Sequence, residues 1–313
     1  MRKLILFLIF LLLNSCESSL FAGADVSGYL DSSAENSKFD FISGIDIDKE
    51  GNLYIADLGN NVIRKITPEG KVSTFAGTGK KGNKVGKKED AEFNFPTDIE
   101  FDNEENLYIA DELNNKVKKI SKDGIVSEIN FPEKDKLYHP RQIFFSNENK
   151  FYIFFEGGFY EILPDLKLEN MPITIPYISK ISLNKKTNEF YFISSENVTG
   201  IYFILKLTKR DINGEIQEIT EKYKKSPYPD SELYSIAFDN EGSMYISYSN
   251  GCISKTSKDG KFIRNYSTAH FQILFSSNPI RIGKDNTQRM VIDNKRKILY
   301  YANLTSIYKI NIK

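Results

Sequence analysis

The 313-residue chain contains no tryptophan, two cysteines and two histidines. A single pair of cysteines, Cys16 and Cys252, excludes a disulfide framework. With only His139 and His270 beside them, it also excludes a zinc centre built from a Cys/His cluster. There is no His-Glu helix motif and no Gly-x-Ser-x-Gly elbow. Charge of one sign is missing too, since 42 Lys and Arg balance 42 Asp and Glu. Without a basic surplus nothing draws the chain to nucleic acid. Long apolar runs are absent with one exception, Leu4–Leu13.

That exception follows Arg2 and Lys3. Ten residues of helix span about 15 Å, half of a bilayer core. The segment therefore reads as the apolar part of a secretory signal and not as a permanent span. It ends in Leu13-Asn14-Ser15-Cys16, which resembles the bacterial lipobox that directs cleavage before a lipidated cysteine. Asn14 departs from the usual small or apolar residue, and this looser form resembles spirochaetal lipoproteins. The resemblance implies a signal peptide at 1–15, the lipidated Cys16 and a short tether at 16–18, and a folded domain at 19–313. It also implies a place in the bacterial cell envelope, at the periplasmic face or the cell surface, with the membrane as a partner through the lipid. Each buried lipid methylene contributes about 0.8 kcal/mol, so two or more chains make a stable anchor. Cleavage removes Arg2 and Lys3 and no acid, leaving 40 basic against 42 acidic residues, a net charge of −2. Cys252, between apolar neighbours, reads as a buried and inert thiol.

What the chain does have is a sentence written twice. Asn52–Ile66 reads NLYIADLGNNVIRKI and Asn106–Ile120 reads NLYIADELNNKVKKI. The two copies extend without a gap from Phe21–Asp57 to Phe75–Asp111. Their shared core is an alternating strand, a polar turn and a tyrosine-centred strand. The core recurs from Ile45, Ile99, Ile143, Ile181, Ile236 and Met290, with marker tyrosines at 54, 108, 152, 191, 245 and 300. Apolar residues at every second position, rich in β-branched and aromatic types, predict strands. Asp48-Lys49-Glu50-Gly51-Asn52 predicts the turn between them, because Gly accepts positive φ and Asp and Asn bond their own backbone. VIRKIT and KVSTFAG supply a third and a fourth strand. Units that cannot bury their own faces must stack. Four short strands per unit and six units predict an all-β, six-bladed β-propeller with no second domain.

The stretch FAGTGKKGN…AEFNFPTDIEFDNEENLYIADELNNKVKKI resembles the NHL repeat. The match is strong over residues 21–120, partial at His139–Ile143 and weak beyond. NHL repeats form propellers, which agrees with the strand count. A propeller must also close. Ser306–Lys313 aligns with the third strand of a unit and the chain then stops, whereas Ser19–Gly23 aligns with the fourth strand, Ser73–Gly77. The early segment is therefore expected to complete the last blade.

Two aspartates, Asp57 and Asp111, end matching strands and read as caps of the following Gly-Asn-Asn-type turn, not as metal ligands. The residues that start each inner strand form the candidate site at one mouth of the channel: Ser43-Gly44, Thr97-Asp98, Arg141-Gln142, Ser179-Lys180, Tyr234-Ser235 and Gln288-Arg289. Arg141, Gln142, Asp98, Thr97, Lys180, Tyr234 and Arg289, with His139 just ahead of its strand, are the candidate binding residues. The ring carries more cations than acids and suits a carboxylate or another anion, with Arg141 placed for a bidentate contact. Loop 79–92, rich in lysine, and loop 25–40, rich in acids, are expected to lie side by side.

The function expected from these residues is a lipid-anchored binding or scaffold module for a protein or glycan partner, with no catalytic residue, cofactor or metal assigned. The alternative is a metal-dependent propeller enzyme, lactonase-like or similar to peptidylglycine-amidating lyases. The lactonase resemblance calls for a glutamate where this chain has Ser43-Gly44, and the lyase resemblance for more histidines than two.

Overall fold

The structure is a computed structural model that describes residues 18–24, 26–132, 138–156, 158–173, 175, 178–198, 202–211, 214–218, 233–248, 252–257, 262–267 and 289–312. Residues 1–17, Cys16 among them, lie outside the described residues, as do His270, Gln288 and the side chain of Cys252.

Six antiparallel sheets form the six blades of a propeller. Blade 1 is built from Ile42–Ile47, Leu53–Asp57, Val62–Ile66 and Val72–Ala76, from the channel outward. Blade 2 follows with Pro96–Phe101, Leu107–Asp111, Lys116–Ile120 and Ile125–Glu128. A two-residue strand, Gly86–Lys87, adds a fifth member at its edge, so part of the lysine-rich loop is sheet. The inner strands of blades 3 to 6 are Gln142–Phe145, Ile178–Asn184, Leu233–Phe238 and Arg289–Asp293. Among the described residues the helical content is two single 3₁₀ turns, Ala34–Asn36 and Glu112–Asn114.

The ring closes as the alignment of the ends predicts. Ser18–Gly23 pairs antiparallel with Ser306–Asn311 and becomes the outermost strand of blade 6. Gly23 is required there: it has φ +95°, and a Cβ would lie 2.2 Å from the Thr305 carbonyl oxygen.

There is no single central core. Each hydrophobic cluster lies between two neighbouring blades, so each blade buries its faces only against the next. The marker tyrosines are the keystones. Tyr54 meets Phe101 of the next blade at 4.9 Å, Tyr108 meets Phe145 at 4.8 Å, Tyr152 meets Phe190 at 4.9 Å and Tyr191 meets Phe238 at 4.8 Å. Ring pairs at this spacing add about 0.5–1.5 kcal/mol beyond the area they bury.

The repeated motif has a local explanation. The Asp57 carboxylate accepts from the Asp40 N–H, the Asn60 amide and Arg64 Nη1. Asp111 does the same with the Asn94 N–H, the Asn114 amide and Lys118 Nζ. The second asparagine of each pair, Asn61 or Asn115, takes a left-handed backbone (φ 54° and 53°). Its side-chain oxygen accepts the N–H of Phe95 or His139, one and three residues ahead of the next blade's inner strand. Both aspartates are thus capping residues, as the sequence reading holds. The two charged loops are held within their own repeats: Asp31 of the first pairs with Arg64, and the Glu92 carbonyl of the second accepts from Lys118.

Candidate functional site: a charged central channel

The inner strands carry their side chains alternately to the channel and away from it, because strand side chains have period two. Which parity faces inward is fixed by the register with the second strand. Gly44, Asp98, Gln142, Lys180, Ser235 and Arg289 pair with Ala56, Ala110, Phe154, Ile193, Ser247 and Ala302, each two residues past a marker tyrosine. These six form one tier. Asp46, Glu100, Phe144, Ser182, Ala237 and Val291, opposite the tyrosines themselves, form a second tier about 6.6 Å further along. Apart from Gly44, all of these residues line a cavity of about 340 Å³.

The other member of each starting pair does different work. Ser43 Oγ donates to the Pro96 carbonyl at 2.7 Å, and Thr97 Oγ1 donates to the Pro140 carbonyl at 3.0 Å. Both hydroxyls tie a blade to the next. Arg141 stands at the rim with its side chain 51 % exposed, 3.9 Å from Glu112, and His139 lies between Glu112 (3.6 Å) and Glu156 (3.9 Å). Arg141, His139, Thr97 and Tyr234 are outside the cavity lining, whereas Asp98, Gln142, Lys180 and Arg289 converge in it. Tyr234 is half-buried on the inner strand of blade 5.

Side chains of the tiers also stitch the ring. Asp46 accepts the Phe101 N–H (2.7 Å), Asp98 the Ile143 N–H (3.1 Å) and Gln142 the Ile181 N–H (3.0 Å), while Ser182 donates to the Ile236 carbonyl (2.9 Å). Arg289 of blade 6 reaches past blade 1 to Asp98 of blade 2, with Nη1 3.5 Å from Oδ1. Gly44 of blade 1 makes that reach possible. A Cβ on it would lie 2.9 Å from the Asp98 Cα and 3.1 Å from its Oδ1. The same contact bars a glutamate from this position.

Burial sets the charge states. It holds the Lys180 ammonium well below the usual lysine range, with Arg289 adding repulsion and Asp98 opposing both. Burial raises Asp98 against the pull of Arg289 and Lys180. In the second tier, burial raises Asp46 and pushes Glu100 up to about 8, with Lys185 pulling both down. Burial depresses the Lys185 ammonium in turn, but Glu100 and Asp46 outweigh it and leave it raised. Lys185 Nζ lies 2.6 Å from Glu100, and its side chain keeps 44 % exposure, so water reaches and screens this pair.

The sign of the Glu100 shift has a consequence for stability. Between the ordinary carboxylate range and about 8, the folded chain keeps a proton that the unfolded chain releases, so this group's contribution falls as pH rises through that window. Glu100→Gln should flatten the dependence of melting temperature on pH between about 5 and 8. Parallel curves for variant and parent would refute the assignment.

Two polar atoms of the first tier are buried without a hydrogen-bond partner among the described residues: Arg289 Nε and Ser235 Oγ. Both belong to residues that line the cavity, as Lys180 does. A divalent metal does not fit this donor set. The one first-tier carboxylate, Asp98, sits beside two cations, and the second-tier acids are engaged by Lys185 and the Phe101 N–H. Among the described residues no group of three His, Cys, Asp or Glu is arranged to hold a metal. Asp46, Glu100 and Lys185 are the site residues that sequence reasoning missed. The signal for the first two was present, since each lies two positions beyond a first-tier residue and so shares its face.

No protein-family model matches the sequence, and no curated protein does. Among solved structures the fold is similar to virginiamycin B lyase from Staphylococcus aureus (16% identity, 88% of this chain and 99% of that one, TM-score 0.55). It is also similar to a gluconolactonase from Xanthomonas campestris (11% identity, 95% and 98%, TM-score 0.63) and to a luciferin-regenerating enzyme (12% identity, 90% and 94%, TM-score 0.59). At these identities the likeness is one of fold.

Proposed function

We propose that this chain is a lipid-anchored, NHL-type binding propeller of the bacterial cell envelope, and that its channel takes a small carboxylate, free or at the end of a protein or glycan partner. The observation that carries the reading is the first tier. Lys180 and Arg289 face a single carboxylate, Asp98, and two buried donors, Arg289 Nε and Ser235 Oγ, lack a partner among the described residues. An unpaired buried donor costs about 1–3 kcal/mol, which a carboxylate oxygen would recover. A cavity of about 340 Å³ is at the small end of ligand sites. The anchor reading rests on the sequence before Ser18: Cys16 stands two residues ahead of the closing strand, so a lipid there would hold the propeller close to the bilayer.

A second reading, catalysis on a small molecule in the same channel, is favoured by the fold likeness to a lyase, a lactonase and a luciferin-regenerating enzyme. The donor set argues against a metal-dependent version of it. Titration with acetate, glucuronate and the uncharged glucose separates charge recognition from general sugar binding. The carboxylates should raise the melting temperature and glucose should not. Arg289→Gln should weaken carboxylate binding by about tenfold or more, the cost of one charge-assisted contact. Arg141→Ala, at the exposed rim, should bind as the parent does. Equal binding of acetate by the parent and Arg289→Gln would remove the reading.

A further inference from the structure

Among the described residues Lys118 is buried and Lys49, Lys180 and Lys185 line the channel cavity, and all of these but Lys180 are paired. Lys118 Nζ lies 2.7 Å from Asp111 and Lys185 Nζ 2.6 Å from Glu100. Lys180 differs. Its residue is 7 % exposed and lines the channel cavity, yet no hydrogen bond or close ion pair of its Nζ is found among the described residues. An amine that faces a cavity, shares its tier with a guanidinium and is not tied to a carboxylate is free to act as a nucleophile.

The geometry points to Lys180 as a carbonyl-reactive amine, and to a 2-oxo acid as the ligand of the channel, its carboxylate on Arg289 and its ketone carbon bonded to Lys180 Nζ as an imine. This rests on the carboxylate reading of the first tier and adds a covalent step to it. In a 2-oxo acid the carboxylate and the ketone are neighbouring carbons, so both protein groups must reach one small volume. Lys180 and Arg289 stand in the same tier of inner-strand residues and line the same cavity of about 340 Å³. Burial and the Arg289 charge both favour the neutral, nucleophilic form of the Lys180 amine.

The step balances without an oxidant or reductant. The Nζ lone pair attacks the ketone carbon, and the carbonyl electron pair moves to oxygen. A proton passes from nitrogen to that oxygen, giving a carbinolamine. Protonation of the hydroxyl then lets it leave as water, and the nitrogen lone pair forms the C=N bond. Asp98 is the group placed to carry the proton between nitrogen and oxygen. It shares the tier with Lys180 and Arg289, and burial raises its carboxyl so that it is a better proton acceptor than an exposed aspartate. Arg289 holds the substrate carboxylate, with Ser235 next to it in the same tier.

The test uses the folded mature chain with pyruvate as the probe and borohydride to reduce any imine in place, followed by peptide mapping. One adduct per chain is expected, on Lys180, at a yield about tenfold or more above that of any surface lysine, the advantage that each unit of lowered pKa gives the neutral amine. Acetate should protect Lys180 by occupying Arg289. Because the adduct is mapped on the parent chain, the result does not depend on a variant that might misfold; Lys180→Arg, which has no amine to form an imine, should show no adduct. If pyruvate raises the melting temperature of the parent but not of Arg289→Gln, and no adduct forms at Lys180, the imine is refuted and the carboxylate site stands. If pyruvate neither stabilises nor labels, both are refuted. Labelling spread evenly over surface lysines also refutes the imine.

Discussion

Removing residues 18–24 should unfold the whole propeller or lower its denaturant midpoint more than any single core substitution. Ser18–Gly23 is only six residues, but it closes the ring. Without it, Ser306–Asn311 becomes an open edge, and the cluster between blades 6 and 1 loses Phe21 and Ala22. Phe21 is buried against Tyr300 at a ring separation of 5.1 Å, in the same cluster as Phe39, Ile42 and Ile307. Truncating one such phenylalanine to alanine costs about 3–5 kcal/mol. A domain has only about 5–15 kcal/mol in total. Phe21→Ala is therefore the graded form of the experiment, and the deletion its limit, with an exposed edge that also invites aggregation. Urea titration followed by tyrosine fluorescence and circular dichroism reads both. A deletion with the parent's midpoint would mean that the ring is held shut by something else.

The second large effect is expected at Arg64. Its side chain is fully buried, and every donor of the guanidinium is used. Nε and Nη2 bond Asp31, Nη1 bonds Asp57 and the Lys38 carbonyl, and Nη2 also bonds the Leu30 carbonyl. The rings of Tyr29 and Phe39 lie 5.0 and 4.9 Å from it. Arg64→Met should cost about 3–5 kcal/mol, because it leaves Asp57 buried without its counter-charge. The double variant Asp57→Asn/Arg64→Met should lose less than the two single changes added together, since the stranded charge is gone. Acid should soften the single variant's defect. Burial already pushes Asp57 up to about 6, in spite of bonds from Asn60, the Asp40 N–H and Arg64. Below that value the acid is neutral and needs no cation. A loss of under about 0.5 kcal/mol at pH 8 would place Arg64 with ordinary surface substitutions. Blade 2 performs the same task with Lys118, which bonds Asp111 and the Glu92 carbonyl. A lysine serves there because two acceptors suffice. Arg64 uses five hydrogen bonds, four of them on Leu30, Asp31 and Lys38 of the loop and one on Asp57, so Arg64→Lys should restore only part of the loss.

The charged motif of the repeat is thus a device for fastening loops and blades. Its aspartates, asparagines and basic residue recur at fixed spacing because each binds backbone groups whose positions the repeat itself fixes. The same locality made it visible in the sequence. Arg141 and Arg289 show the opposite case. Both begin inner strands, and as residue types they are equivalent. Arg141 is the first member of its pair and is directed to the rim beside Glu112, whereas Arg289 is the second member of its pair and lines the channel. The register of the inner strand with its neighbour makes that choice, and a shift of one residue would reverse it.

The sequence by itself determined the strands, their turns, the number of blades and the segment that closes the ring. Alternation with period two, Asx-type turns and a repeated tyrosine are local signals, and a repeat multiplies them. The tertiary structure alone decided the channel cluster. Asp98, Lys180 and Arg289 come from three different blades and are far apart in the chain, and they meet only because the ring curves back on itself and Gly44 leaves room across blade 1. The shifted charge states of Asp98 and Lys180 follow from burial and from their charged neighbours, and neither exists until the last blade is sealed.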